Sequence, residues 1–239
     1  MSSWKTLPIG YRGELHDVEL VQFSLDLEEA ARALPPPLVP RRIAGRALVS
    51  LVHVRLRRMR PTFLPGLVGF SYRHVAFRLL VDDPALAPPP PSDPEAAGRG
   101  IFFVRSFTDR PLLAHAGNLL THYRLTPAEL AVDPRGLAVR EGGRRLSYRK
   151  AVLGAEVPSP GLFGGWAEAR AVVGALDRAY AVDPDGGVWE TRIKRPDWPL
   201  EPLALAGFAT DFFESARLEC AFRVASVIPY HWLAPVRVR

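Results

Sequence analysis

The sequence predicts a mainly β, α+β fold, in which a large antiparallel sheet is accompanied by a few short helices. Three observations predict it. Long segments alternate apolar and polar residues with period two, clusters of Pro, Gly and Asp separate them, and strands do not alternate with helices as they do in a doubly wound parallel sheet. With 239 residues, 48% of them hydrophobic, the chain can bury a substantial core, and we expect one domain over residues 1–239.

The first predicted elements are a strand, a short helix and a long second strand. LHDVELVQFSLDL predicts the first strand, and Asp26 is a candidate N-cap for the helix EEAARAL, which PPP ends. ALVSLVHVRLRRMRP predicts the long strand. Its apolar face consists of Val52, Val54 and Leu56, and its polar face of His53, Arg55 and Arg57.

The segment FSYRHVAFRLLVDD predicts another strand with two different faces. Its odd-numbered residues from Val75 to Val81 are apolar, whereas Tyr72, His74 and Arg78 share the polar face. Two interpretations of such a polar face stay open. It points to solvent on the outside of the sheet, or it points into an interior that holds a ligand.

The central part of the chain predicts a covered strand followed by an amphipathic helix. RGIFFVRSFTD is apolar on both faces, as a central strand is, and the proline-rich stretch ALAPPPPSDPEAAGRG before it predicts a surface loop. Asp109 as N-cap and Pro111 in the first turn predict the start of the helix. Its apolar stripe consists of Leu112, Leu113, Ala116, Leu119 and Leu120.

Two histidines near this helix raise the question of a metal site. His115 and His122 are seven residues apart, which separates them by roughly 10.5 Å along a helix axis. One metal ion cannot bind both, and none of the six histidines has another histidine at the spacing of the HExxH motif. The glycine-rich stretch SPGLFGGW also lacks the spacing of a dinucleotide- or phosphate-binding loop. We therefore expect neither a metal nor a cofactor.

The C-terminal half predicts two hairpins and a final strand. LAVREGGRRLSYRK and DRAYAVDPDGGVWETRIKRP each contain a glycine-rich turn between two strand patterns. ARLECAFRVASVIP is the last clear strand pattern.

Charge and composition limit the functional classes. A net charge of +6 would suit a nucleic-acid partner, but 28 of the 31 basic residues are arginines, most of them scattered singly. No nucleic-acid-binding motif accompanies them, so we expect no such partner. The absence of a leader and of an apolar run of about eighteen residues predicts a cytoplasmic protein without membrane association. The single cysteine, Cys220, excludes an internal disulfide.

The order and character of these segments resemble a known family. PRRIAGRALVSLVHVRLRRMRP, FSYRHVAFRLLVDD and RGIFFVRSFTDRPLLAHAGNLLTHYR are similar to the YqjF-like family of conserved proteins of unknown function, which belongs to the acetoacetate decarboxylase-like superfamily. The resemblance extends from about Tyr11 to Trp232. It implies a sheet curled into a cone-like barrel with any ligand pocket inside, where strands with a second, polar face can surround a ligand.

The resemblance also bears on chemistry. Decarboxylases of the superfamily use a lysine that forms a Schiff base with a β-keto acid. The resemblance puts Arg124 at the matching position, and arginine cannot form this adduct. By the same comparison, Tyr72 stands where those enzymes have a glutamate. Lys194 is the remaining lysine that could face the lumen, although a solvated position at a strand end is the commoner role.

Three hypotheses follow. The first is a barrel that binds a small anionic or carbonyl-bearing metabolite without Schiff-base decarboxylation. Its candidate ligand-binding residues are Tyr72, Arg78, Arg105 and Arg124. The second is an enzyme of lyase, isomerase or hydrolase type on the same scaffold, with His74 or His122 as general base. The third is an interaction domain with a filled barrel. A homo-oligomer is compatible with each.

Overall fold

A computed structural model describes residues 9–65, 69–82, 99–120, 124–174 and 176–239 of the protein. The first strands of this part of the chain are β1 (Tyr11–Leu25), β2 (Val39–Pro40), β3 (Arg42–Ile43), β4 (Arg46–Pro61), β5 (Phe70–Asp82), β6 (Arg99–Thr108), β7 (Leu125–Pro127) and β8 (Glu129–Asp133). The later strands are β9 (Gly136–Glu141), β10 (Arg144–Lys150), β11 (Arg178–Val182), β12 (Val188–Lys194), β13 (Leu200–Pro202), β14 (Leu205–Thr210), β15 (Arg217–Val224), β16 (Ile228–Trp232) and β17 (Val236–Arg237). The helices are α1 (Leu27–Arg32), α2 (Pro111–Leu120) and α3 (Trp166–Gly174).

Seven of these strands close into a barrel. The ring runs β1-β16-β12-β11-β6-β5-β4, and pairing of β4 with β1 closes it. All neighbours in the ring are antiparallel except β6 and β11, which are parallel. The predicted mainly β fold, with a large antiparallel sheet curled into a barrel, is confirmed. The parallel pair is a departure from the antiparallel pattern.

The wall of the barrel is buried on both of its faces along β4 and β5. Residues that alternate along these strands fall into two separate apolar clusters. One cluster faces the lumen and includes Val52 and Val54. The other includes Leu51 and Phe77 and packs against the second sheet, in which the strand order is β14-β10-β9-β8. The second sheet therefore covers part of the outer surface of the barrel.

Irregular pairing changes which residues face the lumen. The register of β4 with β5 shifts between Leu56 and Met59, where Arg58 has a φ of 52°. A similar shift between β5 and β6 follows Phe77. A β-bulge adds one residue to one strand, so the alternation of side chains reverses beyond it. Beyond these positions, a strict period-two alternation consequently assigns side chains to the wrong face of the strand.

Most of the predicted elements are present. The strand β1, the helix α1 with Asp26 at its N-cap position, and both hairpins, β9–β10 and β11–β12, occur as expected. The strands β2, β3, β7, β8, β13, β14, β16 and β17 and the helix α3 were not predicted. In α2, Leu112 is 86% exposed, so the predicted apolar stripe is wrong at this residue, and the helix buries Ala114 instead. Residues 85–98 of the predicted proline-rich loop lie outside the described residues.

None of the helices in the described part of the chain has the length and apolar character that crossing a membrane requires.

Candidate functional site

The barrel encloses a cavity of about 230 Å³. Its wall is contributed by six of the seven strands of the ring, by β7 and α2, and by the segments before β11 and after β12. Most of the wall is apolar or aromatic. Because the lumen contains this cavity, the barrel is not filled by its own side chains.

The polar face of β5 lines this cavity. Tyr72, His74 and Arg78 all contribute to its wall, together with Val54 and Leu56 of the paired strand β4. Of the two interpretations that the sequence left open, the interior one therefore holds for β5. On β4 the apolar face lines the cavity, and the polar face with His53 points the other way.

Arg78 brings a positive charge to the cavity wall. Its side chain is 7% exposed, and Nη2 donates a hydrogen bond to Oγ of Ser50 over 2.8 Å. The amide of Gln22 donates to the same oxygen over 3.0 Å. No Asp or Glu is found among the described residues that line the cavity. The charged side chains that line the described wall are therefore cations, which favours an anionic ligand.

His74 and Tyr72 lie beside Arg78 on the same face of β5, with their ring centroids 6.2 Å apart. Burial, and secondarily the charge of Arg78, lower the pKa of His74 to about 4. Its imidazole is thus neutral at pH 7 and has an acceptor nitrogen. Burial also raises the pKa of Tyr72, so its hydroxyl stays protonated and can donate a hydrogen bond. The three residues together offer a cation, a proton acceptor and a neutral donor.

A second cation lines the cavity from the segment after β12. The Arg195 guanidinium lies 4.6 Å from the ring centroid of Trp198, and Nη2 donates to the carbonyl oxygen of Gly174 over 2.6 Å. Burial lowers the pKa of Arg195 to about 10, which still leaves it charged at pH 7. Sequence analysis missed Arg195 and Trp198 because they follow the end of β12. Beyond a strand, the period-two alternation of side chains no longer predicts which way a side chain points.

The other predicted ligand-binding arginines do not line the cavity. Arg105 lies on the outer side of the wall, where it contacts Glu141 over 3.4 Å and the ring of Phe212. The bulge between β5 and β6 puts it there, since Phe103, two residues earlier, faces the lumen. Arg124 is exposed and has a φ of 45° just before β7. His122 lies outside the described residues.

The two described lysines also lie away from the cavity. Lys194 is exposed at the end of β12. Lys150 donates a hydrogen bond to Oε1 of Glu19 over 2.6 Å on the outer side of the barrel wall. Among the described residues, no group of three or more His, Cys, Asp and Glu side chains is arranged to hold a metal ion.

A buried polar cluster lies behind the lumen wall, between the barrel and the second sheet. Glu19 of β1 accepts hydrogen bonds from the hydroxyl of Tyr148 and from Lys150, both on β10. His53 of β4 lies 3.2 Å from the Tyr148 hydroxyl through Nδ1. Burial acts to raise the pKa of Glu19, but its hydrogen bonds with His53, Lys150 and Tyr148 outweigh this and lower it to about 2. The cluster ties the second sheet to the barrel by charge and hydrogen bonds.

The arginine-rich segment VRLRRMR ends in a groove of about 830 Å³ on the outside of the barrel. Arg55 and Arg58 form ion pairs there with Asp17 and Glu14. Arg73 of β5 lines the same groove, as does Tyr72, but Arg73 does not line the cavity. It is a matched reference for Arg78, because it is the same residue type on the same strand.

The relatives of the chain fit this architecture. A model of DUF2071, a family of uncharacterised conserved proteins, matches residues 12–235. The chain belongs to this family. No curated protein matches its sequence. The predicted membership of an uncharacterised family with an acetoacetate decarboxylase-like fold is confirmed.

Solved structures with the same fold cover nearly the whole of this DUF2071 protein. An acetoacetate decarboxylase-like enzyme from Sphingomonas wittichii RW1 has 10% sequence identity and a TM-score of 0.57, with 97% of this chain and 93% of that chain covered. Acetoacetate decarboxylase from Legionella pneumophila has 12% identity and a TM-score of 0.57, with 100% and 90% covered. The enduracididine biosynthesis enzyme MppR, complexed with pyruvate, has 11% identity and a TM-score of 0.55, with 98% and 91% covered. At these identities the likeness establishes the fold.

Proposed function

We propose that the protein binds a small metabolite with a carboxylate or carbonyl group in the lumen of its barrel, and that it does so without Schiff-base decarboxylation. The observation that carries this proposal is Arg78, a buried guanidinium in the wall of an apolar cavity to which the described residues contribute no carboxylate.

The cavity matches such a ligand in charge and size. A guanidinium donates two parallel hydrogen bonds to a carboxylate, and this interaction strengthens when water is excluded. Tyr72 supplies a hydroxyl donor on the same face for a carbonyl or second carboxylate oxygen. The volume of about 230 Å³ is below the range of roughly 300 to 1,000 Å³ typical of pockets for drug-sized ligands. The ligand is therefore of metabolite size.

The described part of the cavity wall lacks the group that Schiff-base chemistry needs. A Schiff base requires a neutral primary amine beside the carbonyl carbon of the substrate. Neither Lys150 nor Lys194 lines the cavity. Arg124, the residue that resembles the lysine position of decarboxylases, stays protonated. MppR, a protein of the same fold, has been crystallised with pyruvate, which supports a small oxo acid as one ligand to test.

The binding proposal predicts a large effect of Arg78→Met. Isothermal titration calorimetry with monocarboxylates and with 2-oxo and 3-oxo acids is expected to identify ligands of the wild-type protein. Arg78→Met should weaken them by about tenfold to a hundredfold, because a charge-assisted hydrogen bond is lost.

Arg73→Met is the matched control for this experiment and should change the affinity less than twofold. Equal losses of affinity in Arg78→Met and Arg73→Met would contradict the proposal. So would the absence of binding of any acid by a folded wild-type protein. Trapping with borohydride tests the second half of the proposal: a covalent adduct on any lysine would show that Schiff-base chemistry is retained.

The alternative function is an enzyme on the same scaffold with His74 as general base. The position of His74 in the cavity wall beside Tyr72 and Arg78 favours it. Because the pKa of His74 is lowered to about 4, the imidazole is in its basic form throughout the neutral range. It suits proton abstraction from an acidic carbon, such as one next to a carbonyl group.

This alternative predicts a particular pH profile. Exchange of the α-protons of an oxo acid for deuterium, followed by NMR, should be constant at neutral pH and fall below about pH 4. His74→Gln should lower the rate by at least about a hundredfold. Exchange that persists unchanged in this variant, or that falls already near pH 6.5, would rule out His74 as the base.

A further inference from the structure

Two residues of the cavity wall outside β5 carry buried N–H donors. Nε of Arg195 and Nε1 of Trp198 are both inaccessible to solvent, and neither has a hydrogen-bond acceptor among the described residues. Both side chains belong to the cavity wall. Buried donors are nearly always paired in folded proteins, so two unpaired donors at one cavity point to an acceptor that arrives with a ligand.

The Arg195 guanidinium is held in place by two carbonyl groups and an aromatic ring. Nη2 donates to Gly174, Nη1 is 3.4 Å from the carbonyl oxygen of Pro196, and the Trp198 ring packs 4.6 Å from the guanidinium carbon. It forms no ion pair with any Asp or Glu of the described ranges. Burial lowers the pKa of Arg195 and outweighs the attraction of Asp177 and Asp197, which act from beyond ion-pair distance to raise it. Carbonyl groups and an aromatic ring therefore position the guanidinium. This arrangement is typical of a residue that binds an anion.

Arg195 and Arg78 lie on opposite sides of the lumen. Arg195 directly follows β12, and β12 is three strands from β5 around the seven-strand ring, which is the largest separation that such a ring allows. Phe103, the neighbour of Arg78 across β5 and β6, contacts Trp232 with ring centroids 5.9 Å apart. Trp232 pairs in turn with Ile193, two residues before Arg195. Aromatic side chains next to the two arginines in the sheet therefore contact each other.

We propose that Arg195 and Trp198 form a second acceptor-binding subsite, and that the natural ligand carries two carboxylate or equivalent anionic groups at opposite ends of a short apolar or aromatic body. The proposal rests on the proposed binding function and specifies its ligand class. Two cations in one apolar cavity repel each other and are costly to desolvate. A dianion can contact both guanidinium groups, whereas a monoanion can contact only one.

Matched acids test the proposal. Benzoate and terephthalate, and hexanoate and adipate, differ within each pair in one terminal carboxylate. Calorimetry with the wild-type protein should show the dicarboxylate of at least one pair binding at least about tenfold more tightly. Arg195→Met should weaken that dicarboxylate at least about tenfold more than its monocarboxylate partner, a coupling that only a direct interaction produces.

A second variant separates the effect of the Trp198 N–H donor from the effect of packing the Trp198 ring against Arg195. Trp198→Phe removes the N–H but keeps a ring against the guanidinium, and it should weaken the dicarboxylate severalfold more than the monocarboxylate. Arg73→Met, in the outer groove, should leave both affinities within about twofold. Thermal unfolding of each variant confirms that it is folded, and Trp198→Phe serves alone if Arg195→Met does not fold.

The outcomes distinguish the second subsite from the proposed binding function on which it rests. If monocarboxylates bind in an Arg78-dependent manner but no dicarboxylate is preferred, the second subsite is wrong and the proposed function stands. If Arg195→Met weakens both acids of a pair equally, Arg195 only shapes the wall, and the subsite is again wrong. If neither class of acid binds the folded protein, both proposals fail.

Discussion

Replacing Glu19 with alanine is expected to lower the free energy of unfolding by about 3 to 5 kcal/mol, because it breaks a buried charge cluster and leaves a lysine without its partner. Glu19 contacts His53, Tyr148 and Lys150 between the barrel and the second sheet. Urea denaturation at pH 7 measures the loss. Glu201→Ala is the control: Glu201 forms an ion pair with Arg223 on the surface, over 2.9 Å, and should cost less than about 1 kcal/mol.

The cluster around Glu19 also predicts how the free energy of unfolding depends on pH. The pKa of Glu19 is about 2 in the folded protein against an ordinary value of 4.5, so the folded state favours the carboxylate. Its contribution is fully present above pH 4.5 and is lost as the pH falls towards 2, by about 3 kcal/mol in total. Glu19→Gln should remove this part of the pH dependence. A variant whose stability falls as steeply as that of the wild type between pH 4.5 and 2 would contradict the role of Glu19.

The second large effect is expected at Phe77. Its side chain is fully buried, and its ring centroid lies 5.3 Å from those of Phe212 and Phe213, 5.8 Å from that of Phe107 and 6.0 Å from that of Phe23. Phe77→Ala should cost about 3 to 5 kcal/mol, because it removes a large apolar side chain and leaves a cavity. Denaturant unfolding again provides the measurement.

Two controls define what Phe77 does. Phe77→Leu keeps most of the volume and should cost clearly less than the alanine variant. Phe63→Ala, at a side chain that is 70% exposed, should change stability by less than about 0.5 kcal/mol. Because Phe77 lies on the face of β5 opposite to the lumen, Phe77→Leu should retain carboxylate affinity. A loss of affinity equal to that of Arg78→Met would show that the two faces of the wall are not independent.

The alternation of residues predicts which side chains of β5 share a face, but not which face is the lumen. Tyr72, His74 and Arg78 were grouped correctly from the sequence. Their direction was undetermined because the wall is covered on both sides, so neither side has the continuous polar surface of a solvated sheet face. The barrel itself was predicted from family resemblance, because no local sequence pattern indicates that a sheet closes into a barrel.

Other features of the site depend on contacts or distortions that a local pattern does not contain. The bulge between β5 and β6 turns Arg105 to the outside although its spacing from Phe103 predicts the lumen. Tyr148 and Glu19 meet across 129 positions of sequence. Arg195 follows the last residue of β12. Beyond the strand the side chains no longer alternate between the two faces of the sheet, so sequence position does not predict the direction of this side chain. In each case tertiary structure decides the direction of the side chain.

The first long strand of the barrel has a consequence for how the protein folds. β1 pairs with β4 but also with β15 and β16, so Leu20 lies between Val52 and Phe222, and Tyr11 lies between Pro61 and Trp232. Pairings across about two hundred residues make a chain fold slowly, because a long loop must close before its contacts form. During synthesis on the ribosome, β4 and β5 can pair long before β16 emerges. The lumen, which needs Tyr230 and Trp232 for its wall, is therefore among the last features of the barrel to form, and its cavity is incomplete until β16 has been synthesised.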